Sequence, residues 1–94
     1  MNFDDISLVN NEAIHHFELE INGQQAFIDY KRKDNKIYLI HTEVPETLRG
    51  TGAAEAMVTK AFNFVEEHEL KLVPLCSYVQ VYLKRHPERN RLLA

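Results

Sequence analysis

The chain of 94 residues contains a single cysteine, Cys76, so it can form no internal disulfide. It has no pairs of Cys or His at ligand spacing, which leaves it without a metal motif. His15 and His16 are adjacent, and on a strand their rings would point to opposite faces and not share an ion. No apolar run approaches the roughly 20 residues that span a bilayer. The start of the chain carries Asp4 and Asp5 where a signal peptide would be basic, so a cytoplasmic protein with no membrane partner is expected. Positive charge is in deficit, with 11 Lys and Arg against 14 Asp and Glu and a formal charge of −3. That balance argues against a nucleic-acid partner bound by phosphate neutralisation. The local cluster of Lys84, Arg85, Arg89 and Arg91 reads as a solvated helix end. The length predicts one domain over residues 1–94, and 45% hydrophobic residues are enough to supply its core.

Glycine is also scarce, with only Gly23, Gly50 and Gly52 in the chain. Gly23 follows Asn22, and Asn-Gly is a strong hairpin signal. Residues 14–21 alternate, with Phe17, Leu19 and Ile21 on one face and His16, Glu18 and Glu20 on the other; Ala26, Ile28 and Tyr30 continue the alternation after the turn. Lys33-Asp34-Asn35 turns the chain again. A third strand from Ile37 to Val44 is apolar on both faces, which predicts a central strand covered on both sides. From Ala54 to Val65 the apolar residues recur every three or four positions, and this is a helix. Leu70 to Cys76 follows as a short strand, and Ser77 to Arg85 as a second helix with Val79, Tyr82 and Leu83 inward. The fold class is therefore a mixed α/β sheet: an N-terminal antiparallel hairpin and meander, a right-handed parallel βαβ unit and a C-terminal helix. Pro74 cannot donate a ladder hydrogen bond, so it marks either a strand end or edge, or a gap between strands.

Between the third strand and the first helix lies Val44-Pro45-Glu46-Thr47-Leu48-Arg49-Gly50-Thr51-Gly52-Ala53-Ala54. A helix start offers unpaired N–H groups and a partial positive charge, and glycines clear side chains from the approach of an anion. The loop lacks the Gly-Lys-Ser/Thr of a Walker motif and the third glycine of a dinucleotide fingerprint. An ordinary strand-to-helix turn is the plain alternative. The order Arg49, two residues, Gly52, one residue, Ala54 resembles the acetyl-CoA loop of the GCN5-related N-acetyltransferases, with Val44 matching the residue at the preceding strand end. From Pro45 to Arg49 the chain looks one residue longer than the usual family spacing. His41-Thr42 and Cys76-Ser77 match pairs found in a short, minimal subgroup of that family, which also lacks the helices between the first two strands.

This resemblance implies acetyl-CoA as co-substrate, bound between Val44 and Leu75, with Thr42, Val44, Arg49, Gly50, Thr51, Gly52, Ala53 and Ala54 as its binding residues. It implies a parting of the two parallel strands to receive the pantetheine arm, and a backbone N–H near Val44 that polarises the acyl carbonyl. His41 is the candidate base, although it shares a predicted strand face with Ile37 and Leu39 and reads equally as a core histidine. Tyr82 matches, within one position, the tyrosine that protonates the coenzyme thiolate, or it packs in the core. Cys76 before a helix start invites an acetyl-cysteine intermediate, against direct transfer with a buried cysteine. The expected function is acetyl transfer to an amine, small-molecule or protein. The alternatives are an acetyl-CoA-binding or acyl-carrying protein without turnover, and an interaction module that has lost the ligand. Monomer and weak homodimer both fit a small sheet with an exposed edge.

Overall fold

In a computed structural model, which describes residues 2–94, the chain runs β1 (Val9–Asn11), β2 (His16–Ile21), β3 (Gln24–Lys33), β4 (Lys36–Glu43), α1 (Ala53–Glu67), β5 (Lys71–Pro74) and α2 (Ser77–Arg85). Short 3-10 turns cover Glu46–Leu48 and Pro87–Leu92. The five strands form one sheet in the order β1-β2-β3-β4-β5, antiparallel except for the parallel pair β4 and β5. Asn22 and Gly23 both take positive φ, 53° and 78°, as a two-residue turn matched to strand twist requires. Asp34 at φ 56° makes the corresponding reversal between β3 and β4.

Alternation in β2 and β3 buries Phe17, Leu19, Ile21, Ala26, Ile28 and Tyr30 on the face that meets α1. The helix returns Ala53, Met57, Val58, Ala61, Phe62 and Val65 to the same core. It begins one residue earlier than its stripe suggests, so Ala53 takes the buried position and Ala54 is half-buried. Along α2, Val79, Tyr82 and Leu83 are buried as their spacing predicts. The outer edge of β5 is not left bare: Leu93 bridges Leu72, and the Ala94 N–H donates to the Leu72 carbonyl at 2.9 Å.

Four features depart from the sequence-based expectation. A strand, β1, precedes the hairpin and pairs Val9 with Glu18. To reach β2 the chain reverses through residues 12–15, with His15 at φ 56°, so Ile14 and His15 sit in a turn and β2 begins at His16. Strand β5 ends at Pro74 and leaves Cys76 as the residue capping α2. Finally, β4 has neighbours on both edges, but only one of its faces is covered. The two helices pack side by side, with Phe62 edge-on to Tyr82 at 4.9 Å and the Tyr82 hydroxyl 2.8 Å from Thr59 Oγ1. Tyr38 and Ile40 on the other face therefore stay half-exposed.

A bulge in β4 positions everything that follows. Asp29 pairs with His41 and Tyr30 with Leu39, which leaves Ile40 as an extra residue. An extra residue reverses the in-out alternation beyond it. Ile37 and Leu39 point to the core, whereas His41 shares the open face with Asp29, and Thr42, paired with the buried Ile28, turns inward.

Candidate functional site

The β4–β5 ladder stops at the pair Leu39 and Pro74, the residue that has no N–H to carry it further. Leu75 and Cys76 N–H both converge on the Leu39 carbonyl, at 2.9 and 3.0 Å, and beyond them the two strands part. Where β4 ends, the Glu46–Leu48 turn is pinned by the buried Leu48, and the loop closes with the Thr51 hydroxyl donating to the Leu48 carbonyl.

Gly50 and Gly52 adopt φ of 77° and 90°, a region that residues with a Cβ enter at a cost. A Cβ on Gly50 would meet nothing within 4 Å, so the space above it is open; one on Gly52 would lie 3.7 Å from the ring of Phe3. The first helical bond runs from Ala56 N–H to the Gly52 carbonyl, and Ala53 N–H is met by Thr51 Oγ1 at 3.3 Å. The N–H groups of Ala54 and Glu55 have no protein acceptor among the described residues. Nor does Arg49, which is exposed, have a carboxylate within 4 Å among those residues. Unpaired N–H groups at a helix start and a free guanidinium beside two glycines make a site suited to a phosphate group.

These groups open onto a cleft of about 580 Å³. It brings together Thr42, Val44, Arg49, Gly50, Gly52, Ala53 and Ala54 from the predicted binding set, and His41 from the predicted catalytic set. Thr51 lies on the opposite side of the loop, in a depression shared with Phe3 and Glu55.

The three predicted catalytic residues are placed differently from one another. His41 is exposed, with Nε2 2.7 Å from Glu43 Oε2, because the Ile40 bulge turns it off the core face that Ile37 and Leu39 occupy. The core-histidine alternative does not describe it. Cys76 is 7% exposed, its Sγ 3.3 Å from the Thr42 hydroxyl, and it does not line the cleft. Tyr82 is also buried, between the helices, and its hydroxyl is occupied by Thr59. The tyrosine that lines the cleft is Tyr78, one turn earlier on α2. Burial pushes its phenol pKa up, and the Glu55 carboxylate adds to the shift. Sequence reasoning missed Tyr78 because it lies off the apolar stripe of Val79, Tyr82 and Leu83. That position, beside the stripe and directly after Cys76-Ser77, was the available signal.

Known proteins resemble the chain over most of its length. The family described as GCN5-related N-acetyl-transferase matches residues 16–92. Protein NATD1 of Xenopus tropicalis is 38% identical over 74 residues, which span 76% of this chain and 68% of that one. Protein NATD1 of Mus musculus is likewise 38% identical over 74 residues, spanning 76% and 67%. The NMR structure of a GCN5-like protein from Staphylococcus aureus superposes with a TM-score of 0.71 at 22% identity, covering 97% of this chain and 90% of that one, and so shares its fold.

Proposed function

The chain belongs to the GCN5-related N-acetyltransferase family, and from that premise we propose that it binds acetyl-CoA in the cleft and transfers the acetyl group to an amine. The observation that carries this reading is the helix start at Ala53. Two glycines in the left-handed region, the free N–H groups of Ala54 and Glu55 and the unpaired Arg49 converge on open space. A pyrophosphate fits the donor set there, and the pantetheine arm would follow the edge of β4 where β5 has parted from it, between Val44 and Leu75.

Transfer forms a bond from the amine nitrogen to the acyl carbon and breaks the carbon–sulfur bond. One proton must leave the amine and one must reach the departing thiolate. His41, oriented by Glu43 at 2.7 Å, is placed to accept the first. Tyr78, which lines the cleft, would donate the second, as a phenol is protonated at neutral pH. The backbone N–H at Val44 would polarise the carbonyl. Direct transfer is favoured over an acetyl-cysteine route because Cys76 is buried against Thr42 and does not line the cleft. Cys76→Ala should therefore keep its rate, and intact mass after acetyl-CoA treatment should show no acetyl adduct on the native protein.

The test is a titration of acetyl-CoA into isotope-labelled protein, followed at the amides of residues 50–54. Saturable shifts there that vanish in Gly52→Asp support the cradle, and unchanged affinity in that variant would falsify it. Turnover of acetyl-CoA with a panel of amines separates an enzyme from a protein that only binds or carries the acyl group.

A further inference from the structure

The face of the sheet turned away from both helices is divided by charge. At one end His41 pairs across β3 with Asp29, and Glu43 with Phe27 beside the buried Glu18. At the other end stand Lys31 and Lys33, neither of which has a carboxylate within 4 Å among the described residues. This is a free cationic cluster in a chain whose formal charge is −3. Between the two ends runs a trough of about 560 Å³ whose floor is Tyr38, Ile40 and Leu75. Leu75, 56% exposed at the point where β5 leaves β4, forms its lip. Scattered surface leucines are ordinary, but here three apolar side chains are contiguous and lie between cations at one end and carboxylates at the other.

The trough also leads to the proposed reaction centre. Ile40, the bulged residue of its floor, is followed directly by His41 in the cleft. Lys31 is the cross-strand partner of Tyr38, so the cations stand about three residues, roughly 10 Å, along the strand from His41. Long side chains with charged heads and apolar stems suit the rim of such a trough.

Resting on the acetyl-transfer reading, we propose that the acceptor is an amphipathic amine that carries an anionic group about 10 Å from its nitrogen. The anion is held by Lys31 and Lys33, the apolar span lies on Tyr38, Ile40 and Leu75, and the ammonium end arrives beside Asp29, His41 and Glu43. Charge complementarity at both ends selects this class over a simple alkylamine or a polyamine.

Three probes of equal length separate the classes: 8-aminooctanoate, 1,8-diaminooctane and octylamine. Each is titrated into isotope-labelled protein and followed at the amides of Tyr38, Ile40 and Leu75. The expected result is saturable binding of 8-aminooctanoate about tenfold tighter than of the diamine, as two surface charge contacts supply, with the preference abolished in the double variant Lys31→Gln, Lys33→Gln. Both lysines are exposed and make no ion pair among the described residues, so that variant folds as the native chain does. Equal affinity for the probes, absence of saturation, or a preference that survives in the double variant overturns the proposal. Acetyl-CoA shifts at residues 50–54 are read on the same sample. Their loss with the trough preference intact removes the transfer reading alone, and their presence without the preference removes the acceptor class alone.

Discussion

Alanine in place of Gly52 should destabilise the protein through backbone geometry alone. Gly52 caps α1 at φ 90° and ψ 5°, where an L side chain crowds its own backbone at about 1–2 kcal/mol. The new Cβ would lie 3.7 Å from Phe3 Cε2, an ordinary van der Waals contact, so no clash adds to that cost. For a domain of this size each kcal/mol lowers Tm by about 4–8 °C, and Gly52→Ala should melt about 4–16 °C below the native chain. Asparagine, although larger, enters the left-handed region at less cost than alanine because its short polar side chain bonds locally to the backbone. Gly52→Asn should accordingly melt above Gly52→Ala, an order opposite to side-chain size. Thermal unfolding followed by circular dichroism measures both. If alanine melts with the native protein, or asparagine melts below alanine, φ is not what requires glycine here. Gly52→Asp completes the set: it should retain the stability of the asparagine variant and lose acetyl-CoA affinity, because its carboxylate repels a phosphate at the helix start.

Tyr78→Phe should lower kcat while leaving acetyl-CoA affinity intact. In the native protein the rate should persist until pH passes the ordinary tyrosine value near 10, since burial first and Glu55 second raise the phenol pKa; a variant with native kcat would remove the proton-donor role. Thr59→Val takes the hydrogen-bond partner from the Tyr82 hydroxyl, and about 1 kcal/mol of stability should go with it while turnover stays native, as measured by denaturant unfolding and steady-state rate. A fall in turnover with stability unchanged would return Tyr82 to the reaction. The Arg91 hydrogen bond, reinforced by charge, holds the Glu66 carboxyl below the usual glutamate range. The folded pKa is depressed, so this contribution is present above the unfolded glutamate pKa and is lost as pH falls through the folded value. Tm measured across acid pH should fall less steeply in Arg91→Gln than in the native chain, and identical profiles would refute the linkage.

The parts of this protein that were legible in its sequence are those dictated by neighbours along the chain. Asn22-Gly23 supplies two residues that accept positive φ, and that requirement is met wherever the chain goes next. Alternation places Phe17, Leu19 and Ile21 on one face, and a three-to-four spacing places Met57, Val58, Ala61, Phe62 and Val65 on another, because both periods are properties of local backbone geometry. Gly50 and Gly52 take positive φ at the start of α1 for the same local reason.

Tertiary structure alone decided which side chains meet the cleft. An alternating pattern assigns His41 to the face of Ile37 and Leu39, and only pairing with β3 reveals Ile40 as an extra residue that turns His41 outward and Thr42 toward Cys76. Apolar residues on both faces of β4 suggest two covered faces, but Tyr82 bonds to Thr59, draws α2 alongside α1 and leaves Tyr38 and Ile40 open. That same setting of α2 buries Tyr82 and presents Tyr78 to the cleft. Torsions, turns and periodicity are written in adjacent residues. Register, the facing of a strand and the rotation of a helix are settled by contacts between residues far apart in the chain, whose energies exist only once the core has closed.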